Sequence, residues 1–391
     1  MKPKSSAAIK ADVRASLKFH FGGLRDPRDP EKIDYPLTTI LTIVLLAVMC
    51  GLEGWDEFAV WAAHRREWLA TFLDGLDETA PCESTLRRVF TRLNPKAFHA
   101  AFQAWAKALA GAAEGRHVAV DGKALRGAFR AAAKKSNLYL VSAFATDNKL
   151  VLAQVRTDDK SNEMTAIPAL LALLDLKGAV VTIDAAGTQT PIAEQIVTGK
   201  GDYILALKGN QGTTHDQVGQ YLTEAQSLGF AGVPHRQDVT EDAGHGRTER
   251  RVVVAVPAND VLPSVERWAG LQSFVLVERT RCVGDGPATC ERWFYLTSLP
   301  YTKVKAIAGY IRGHWAIENN LHWCLDVQFG EDASKVHQGA APENLGLLRR
   351  FVLNCFVLRT DVKKKTSLRR KALLCMLDDT FMIETLLRGI Q

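Results

Sequence analysis

Three stretches place acids where an apolar run ends. In "HVAVDGK" the apolar residues Val118 to Val120 lead into Asp121, Gly122 and Lys123. In "GAVVTIDAAG" a longer apolar run ends in Asp184. In "YIRGHWAIENNLHWCLDVQFGED" the acids Glu318, Asp326, Glu331 and Asp332 accompany His314 and His322. A lone aspartate at a strand end is commonly a turn or helix cap. Two on neighbouring central strands repel each other, and both stay ionised only beside a counter-charge such as a divalent cation. Carboxylates without thiolates suit a hard, oxygen-preferring ion, Mg²⁺ or Mn²⁺. Two such ions about 4 Å apart activate an attacking oxygen and stabilise a leaving oxygen on phosphorus. The expected chemistry is metal-assisted phosphodiester cleavage.

Two ions need a third acid. Glu318 is the first choice, because His314 and His322 lie four residues to either side and share its helical face. Asp326 is the alternative. It lies eight residues on, roughly 12 Å along a helix axis, and cannot chelate the same ion as Glu318. Glu331 and Asp332 follow Gly330, past the expected helix end. His314 and His322 are too far apart for one HExxH-type site. They read as packing residues or as phosphate contacts beside Glu318.

The elements that must position these acids follow from periodicity. From 37 to 114 the pattern is helical, with Trp55, Phe58, Trp61 and Ala62 on one stripe. Within it "STLRRVFTRL" reads as the second helix of a helix-turn-helix, with Arg87, Arg88 and Arg92 toward phosphates. From 115 to 361 the expected order is a short strand at 118–121, a hairpin (137–146 and 149–157), then alternating helices and apolar strands. This predicts a mixed five-stranded α/β sheet of RNase H-like order, with helices on both faces. An antiparallel, β-rich insertion is expected at about 212–300, before one long helix from Lys303. Residues 1–36, with "RDPRDPEKIDYP", read as an extended polar arm or linker. Residues 362–391 read as a basic helical segment.

Composition narrows the class. The 391 residues suggest two or three domains. With 47% hydrophobic and 24% charged residues, a sizeable core is available. Net charge is +6, only weakly suggestive of a polyanion. Seven scattered cysteines with no CxxC pair exclude a disulfide framework or zinc knuckle and suit a reducing cytoplasm. No signal peptide is read at the N-terminus. The uncharged run Leu37 to Leu52 is shorter than a bilayer span and reads as a buried helix.

Several cations could meet DNA: Lys123 beside Asp121, Lys208 with Asn210 at the end of "DYILALKGNQ", Arg312 and His314 on the acid-bearing helix, and His245, Arg247, Arg250 and Arg251 in "GHGRTERR". Seven Lys/Arg stand between Arg359 and Lys371. Trp315 is a candidate for stacking on a displaced base, whereas Trp323 is expected in the core.

Taken together, "AVDGK", "TIDAAGTQ", "SNEMTAIPALL", "YILALKGNQ", "HGRTERR" and "RGHWAIENNLHWCLDVQFGED" resemble the DDE transposases of bacterial insertion sequences, more narrowly the H-repeat-associated branch found with Rhs elements. The N-terminal "DPRDPEKIDYPLTTILTIVLLAVMCGLEGWDEFAVW" belongs to the same pattern, so the resemblance runs from about 19 to 360. It implies Asp121, Asp184 and Glu318 as the metal-binding triad, two Mg²⁺ or Mn²⁺ ions, and double-stranded DNA as partner. It further implies cleavage at transposon ends, transfer of the 3′-hydroxyl into a target, and a homodimer on DNA. The wider group sets Tyr, Arg, Glu and Lys at steps of three, four and seven. Here Ile311, His314 and Leu325 stand at the Tyr, Arg and Lys positions, with Tyr310 and Arg312 off register. Two alternatives stay open: a metal-dependent nuclease without strand transfer, and a domesticated, inactive DNA-binding relative.

Overall fold

An apolar run with no charge to present to water must be covered on every side. α2 (Leu37–Met49) is buried at every position except Thr38. The chain that covers it is known from a computed structural model, which describes residues 6–110, 117–125, 138–157, 163–244, 246–258, 267–284, 286–362 and 366–390. Around α2 lie α1 (Ser6–Phe21), α3 (Trp55–His64), α4 (Arg66–Ala70), α5 (Glu83–Arg92) and α6 (Pro95–Ala110). The expected extended arm is therefore corrected. Val13, Leu17 and Phe21 recur every four residues and bury one face of a true helix. Among the described residues no helix is long and apolar enough to cross a membrane.

The strands are β1 (His117–Leu125), β2 (Leu138–Ala145), β3 (Leu150–Thr157), β4 (Val180–Ile183), β5 (Asp202–Leu207), β6 (Arg236–Gly244), β7 (Arg247–Pro257), β8 (Ser273–Val283) and β9 (Thr289–Thr297). Between them come α7 (Glu163–Leu171), α8 (Thr190–Thr198) and α9 (Thr213–Ser227). The sheet order is β3-β2-β1-β4-β5-β9-β8-β7-β6. β1 and β2, and β2 and β3, are antiparallel; β1–β4 and β4–β5 are parallel. The first five strands match the expected mixed order. The expectation of a sheet closed at five strands is corrected: β9 pairs with the free edge of β5, Ile204 opposite Thr297, so the insertion continues the sheet to nine strands. The insertion also opens with a helix, α9, which covers β8 and β9.

One sheet face packs α7 and α8, with Val118, Val120, Ile167, Leu170, Ile192 and Ile196 in its core. The other packs α10 (Val304–His314) and α12 (Ala341–Leu358). α12 is buried on nearly every side, because β3 lies against one flank and α2, α5 and α6 against the others. Asn354 of α12 donates to the Val151 carbonyl (2.9 Å) and accepts from the Val151 N–H (2.9 Å), satisfying edge-strand groups beside a bulge in β3. After α11 (Trp323–Phe329) and α12 come α13 (Leu368–Leu377) and α14 (Asp379–Ile390). Met382, Ile383 and Leu386 of α14 share one core with α1, α2 and α12.

Candidate active site

β1 does not run out at Asp121. It stays paired with β2 through Leu125, whereas its pairing with β4 stops at Val120 opposite Ile183. The next residues on these parallel strands are Asp121 and Asp184. Neighbouring strands lie about 4.8 Å apart, and alternation turns both side chains to the α10 face. Asp184 ends β4 and caps the turn after it: Oδ1 accepts from the N–H groups of Ala186 (3.0 Å) and Gly187 (3.3 Å). Asp121 Oδ1 accepts from the Gly122 N–H (2.9 Å), and Oδ2 faces His322 Nδ1 at 3.5 Å. Each carboxylate thus has one oxygen anchored in the backbone.

The opposing wall is the segment expected as one helix. It is broken: α10 ends at His314, a wide π turn spans Glu318–His322, and α11 follows. Asn319 and Asn320 donate side-chain bonds back to the carbonyls of Trp315 (3.1 Å) and Ala316 (3.0 Å), competing with the ordinary ladder. Such π turns recur at functional sites. Glu318 lies about one turn, roughly 6 Å, from both His314 and His322. Its side chain is exposed. Among the described residues, no three acidic, histidine or cysteine side chains converge closely enough to hold one ion. The donor set still fits a hard divalent cation: two adjacent carboxylates on the α10 face of the sheet, at the point where β1 and β4 part.

Asp326 is placed elsewhere. Lys123, two residues beyond Asp121 on the same face, is 8% exposed and directs its ammonium at Asp326 (2.6 Å), Asp332 (2.9 Å) and Glu331 (3.8 Å). Burial raises the Asp326 pKa, Lys123 opposes that, and Asp332 and Glu331 add to it. Glu331 is buried and forms a two-point pair with Arg350 of α12 (2.7 and 3.4 Å). Lys123 is therefore an internal counter-ion, and the expectation that it faces DNA is corrected.

Beneath the two aspartates runs a polar chain that sequence reading missed. Thr146 Oγ1 lies 2.8 Å from His117 Nδ1. His117 Nε2 lies 2.9 Å from Thr182 Oγ1, which lies 2.8 Å from His314 Nδ1. Burial and the neighbouring His314 push His117 down to about 3. Burial lowers His314 as well, with Asp184 pulling it back up. His322 falls to about 3 through burial, then Arg350 and Lys123. All three imidazoles are neutral near pH 7 and bring no positive charge of their own to the aspartates. The available signal was alternation: His117 stands four residues before Asp121 and shares its face.

The remaining expected contacts divide. Lys208 is exposed and, by strand alternation from Ile204, lies on the face of Asp184. Asn210 donates to the Ala185 carbonyl (2.7 Å) and so braces the Asp184 turn. Arg247 is exposed at the insertion tip, on the α10 face. Arg250 lies on the opposite face, bonded to Glu241 (3.2 Å), and Arg251 alternates to the α10 face, where it is bonded to Glu249 (2.6 Å). Arg312 bonds Asp242 of β6 (2.6 Å). His245 lies outside the described residues. Arg87, Arg88 and Arg92 line the exposed face of α5, with Arg87 bonded to Glu83 (3.2 Å). The C-terminal basic run is partly internal: Arg359 pairs with Glu384 and Asp361, and Lys371 is buried against the carbonyls of Phe356 and Arg359. Trp323, expected in the core, is 54% exposed, close to Trp315 at 49%.

Residues 19–106 match the family described as "DDE_Tnp_1-associated", and residues 112–355 the one described as "Transposase DDE domain". The "Putative transposase YncI" of Escherichia coli O157:H7 is 35% identical over 358 residues, 91% of each chain. The "H repeat-associated putative transposase YhhI" of Escherichia coli K12 is 33% identical over 377 residues, 95% of this chain and 97% of the relative. An "Uncharacterized protein in dhlA 3'region" of Xanthobacter autotrophicus is 39% identical over 285 residues, 72% of this chain and 94% of its own.

Proposed function

We propose a reaction for a chain that belongs to the DDE transposase family: divalent-metal-dependent cleavage at the ends of a bacterial mobile element, followed by transfer of the freed 3′-hydroxyl into target DNA. The observation that carries it is the register of β1 and β4, which ends so that Asp121 and Asp184 stand side by side. Two Mg²⁺ or Mn²⁺ ions, when bound, would polarise the phosphodiester and neutralise charge on attacking and leaving oxygens. Asp121 and Asp184 hold them between β1 and β4, and Glu318 completes the set from the opposing π turn. Lys208, Arg247 and His314 contact the phosphate backbone, and α5 within a helical region at 37–114 contacts the element's terminal DNA. Double-stranded DNA is the partner, in the cytoplasm, and two ends brought together call for a dimer on DNA.

A second reading of the third acid keeps Asp326, which pairs with Lys123 two residues beyond Asp121. The test is strand cleavage and joining with supercoiled donor DNA in Mg²⁺ or Mn²⁺. Asp121→Asn and Asp184→Asn each reduce cleavage by about 10³-fold or more. Full cleavage by either variant removes the assignment. Loss in Glu318→Gln with activity kept in Asp326→Asn supports Glu318, and the reverse supports Asp326. Nicks without joined products would make the protein a nuclease. No cleavage by the wild-type protein would leave a DNA-binding relative.

A further inference from the structure

The polar chain under the two aspartates has a direction. Thr182 Oγ1 sits between two imidazole nitrogens, His117 Nε2 at 2.9 Å and His314 Nδ1 at 2.8 Å. A hydroxyl has one proton, so it donates to one ring and accepts from the other. Whichever way it points sets the tautomers of both histidines.

Two observations select the direction. Thr146 Oγ1 lies 2.8 Å from His117 Nδ1 but 3.5 Å from the His117 carbonyl. Within the protein its proton finds a good acceptor only in Nδ1, since 3.5 Å is beyond ordinary O–H···O length. His117 then carries its proton on Nε2 and donates to Thr182. Thr182 donates to His314 Nδ1, which leaves the His314 proton on Nε2. In the opposite direction Thr146 would have to donate across the longer gap or out to solvent, giving up its short bond to the ring as donor. The second observation is Asp184, whose charge lies close enough to act on His314. It favours an N–H over a lone pair on Nε2, the ring nitrogen that Thr182 Oγ1 does not engage.

The rings are held for this purpose. His117 is 2% and Thr182 3% exposed. The Tyr310 ring stands edge-on to His117 at 5.1 Å. α10 comes so close at Gly313 that a Cβ there would lie 2.9 Å from His117 Cε1. The glycine lets the helix descend until His314 reaches Thr182.

We propose that Thr146, His117 and Thr182 form a one-way hydrogen-bond relay that fixes His314 as its Nε2–H tautomer, a neutral donor for a non-bridging phosphate oxygen of DNA at Asp184. The proposal rests on the transposase reading for its ligand but not for its tautomer. Thr146, His117 and Thr182 are positioning residues. A neutral donor suits this place. It engages a phosphate oxygen while adding no positive charge beside carboxylates that must hold cations.

The experiment is ¹⁵N NMR of histidine-labelled full-length protein at pH 7.5, with His314 assigned by loss of its signal in His314→Gln. The Nε2–H pattern is expected for wild-type His314, with a shift of that N–H when a short DNA duplex is added. Thr182→Val keeps a β-branched shape in β4 and removes the relay. It should give mixed His314 tautomers and a cleavage rate lower by about 10- to 100-fold. Thr182→Ser restores both, which a packing role alone would not predict. Thr146→Val, at the far end, mixes the tautomers of His117 and His314 and guards against a folding defect in the first variant. An Nδ1–H pattern in the wild type, or unchanged tautomer and rate in Thr182→Val, overturns the relay. An unchanged His314 signal with DNA overturns the phosphate role. If the wild-type protein cleaves no DNA, the transposase reading fails while the spectrum still decides the relay.

Discussion

Replacing Arg350 by methionine tests the buried charge that ties the site to the helical half. The Arg350 and Glu331 side chains are both 0% exposed. Nη1 donates to Glu331 Oε1 at 2.7 Å and to the Gly346 carbonyl at 2.9 Å; Nη2 reaches Oε2 at 3.4 Å. Arg350→Met fills most of the volume but takes from the Glu331 carboxylate its two-point partner, leaving Arg349 nearby and Lys123 no nearer than 3.8 Å. Removing one partner of such a pair costs about 3–5 kcal/mol. That is roughly 10² to 10³·⁵ in the unfolding equilibrium, at about 1.4 kcal/mol per decade. Glu331→Leu combined with Arg350→Met removes both charges, and its stability should return to within about 1 kcal/mol of wild type. The coupling energy is then at least about 2 kcal/mol. Urea unfolding, followed by tryptophan fluorescence and far-ultraviolet circular dichroism on all four proteins, measures it. A loss under 1 kcal/mol in Arg350→Met, or a double variant equal to the sum of the singles, would refute the reasoning.

Burial holds His99 down to about 4, helped by Arg350, and His117 down to about 3, helped by His314. Folded values below the unfolded value of about 6.5 mean that the unfolded chain binds more protons. Their contribution is complete above pH 6.5 and is lost as pH falls toward 4 and 3, by about 1.4 kcal/mol per unit for each. Urea midpoints that do not move between pH 7 and 5 would contradict this. Gly313→Ala should cost about 1–3 kcal/mol and shift the His117 signals, because its methyl meets the ring; an unchanged melting temperature and spectrum would count against the close approach. Lys123→Met leaves Asp326, Asp332 and Glu331 without their shared ammonium and should destabilise by about 2–4 kcal/mol. Asp326→Asn in the same chain should recover part of the loss, and a purely additive pair would argue against a counter-ion role.

Much of this architecture is legible in sequence because burial and period write it there. β1, β2, β4 and β5 are apolar runs of strand length, and the acids after Val120 and Ile183 mark the crevice. The extension to nine strands is not legible, since nothing in "CERWFYLT" distinguishes pairing with β5 from closing a separate sheet. α1 was obscured by its polar flank, although Val13, Leu17 and Phe21 carry a helical spacing. The burial of Arg349 and Arg350 is not legible either, because it depends on α12 having neighbours on every side and on Glu331 lying across the gap. The π turn was hidden because Asn319 and Asn320 look like ordinary polar helix positions until their side chains bond backward. Lys123 looked like a phosphate contact because its carboxylate partners lie some two hundred residues away.

α1 packs directly on α14, and the Cys50 thiol points at the Met382 sulfur 332 residues along the chain. The helical half is therefore a clasp whose first jaw, α1, is made long before its second, α14. While the ribosome is still reading the sheet, Val13, Leu17 and Phe21 have no α14 to close on. Completion of this core must await translation of residues 379–390, and a nascent chain carries an unfinished apolar seam until then. A rearranged gene that encodes α14 directly before α1 and opens an exposed hairpin tip would deliver α14 and α1 together. Its product should close the clasp during synthesis, while the ribosome is still making the rest.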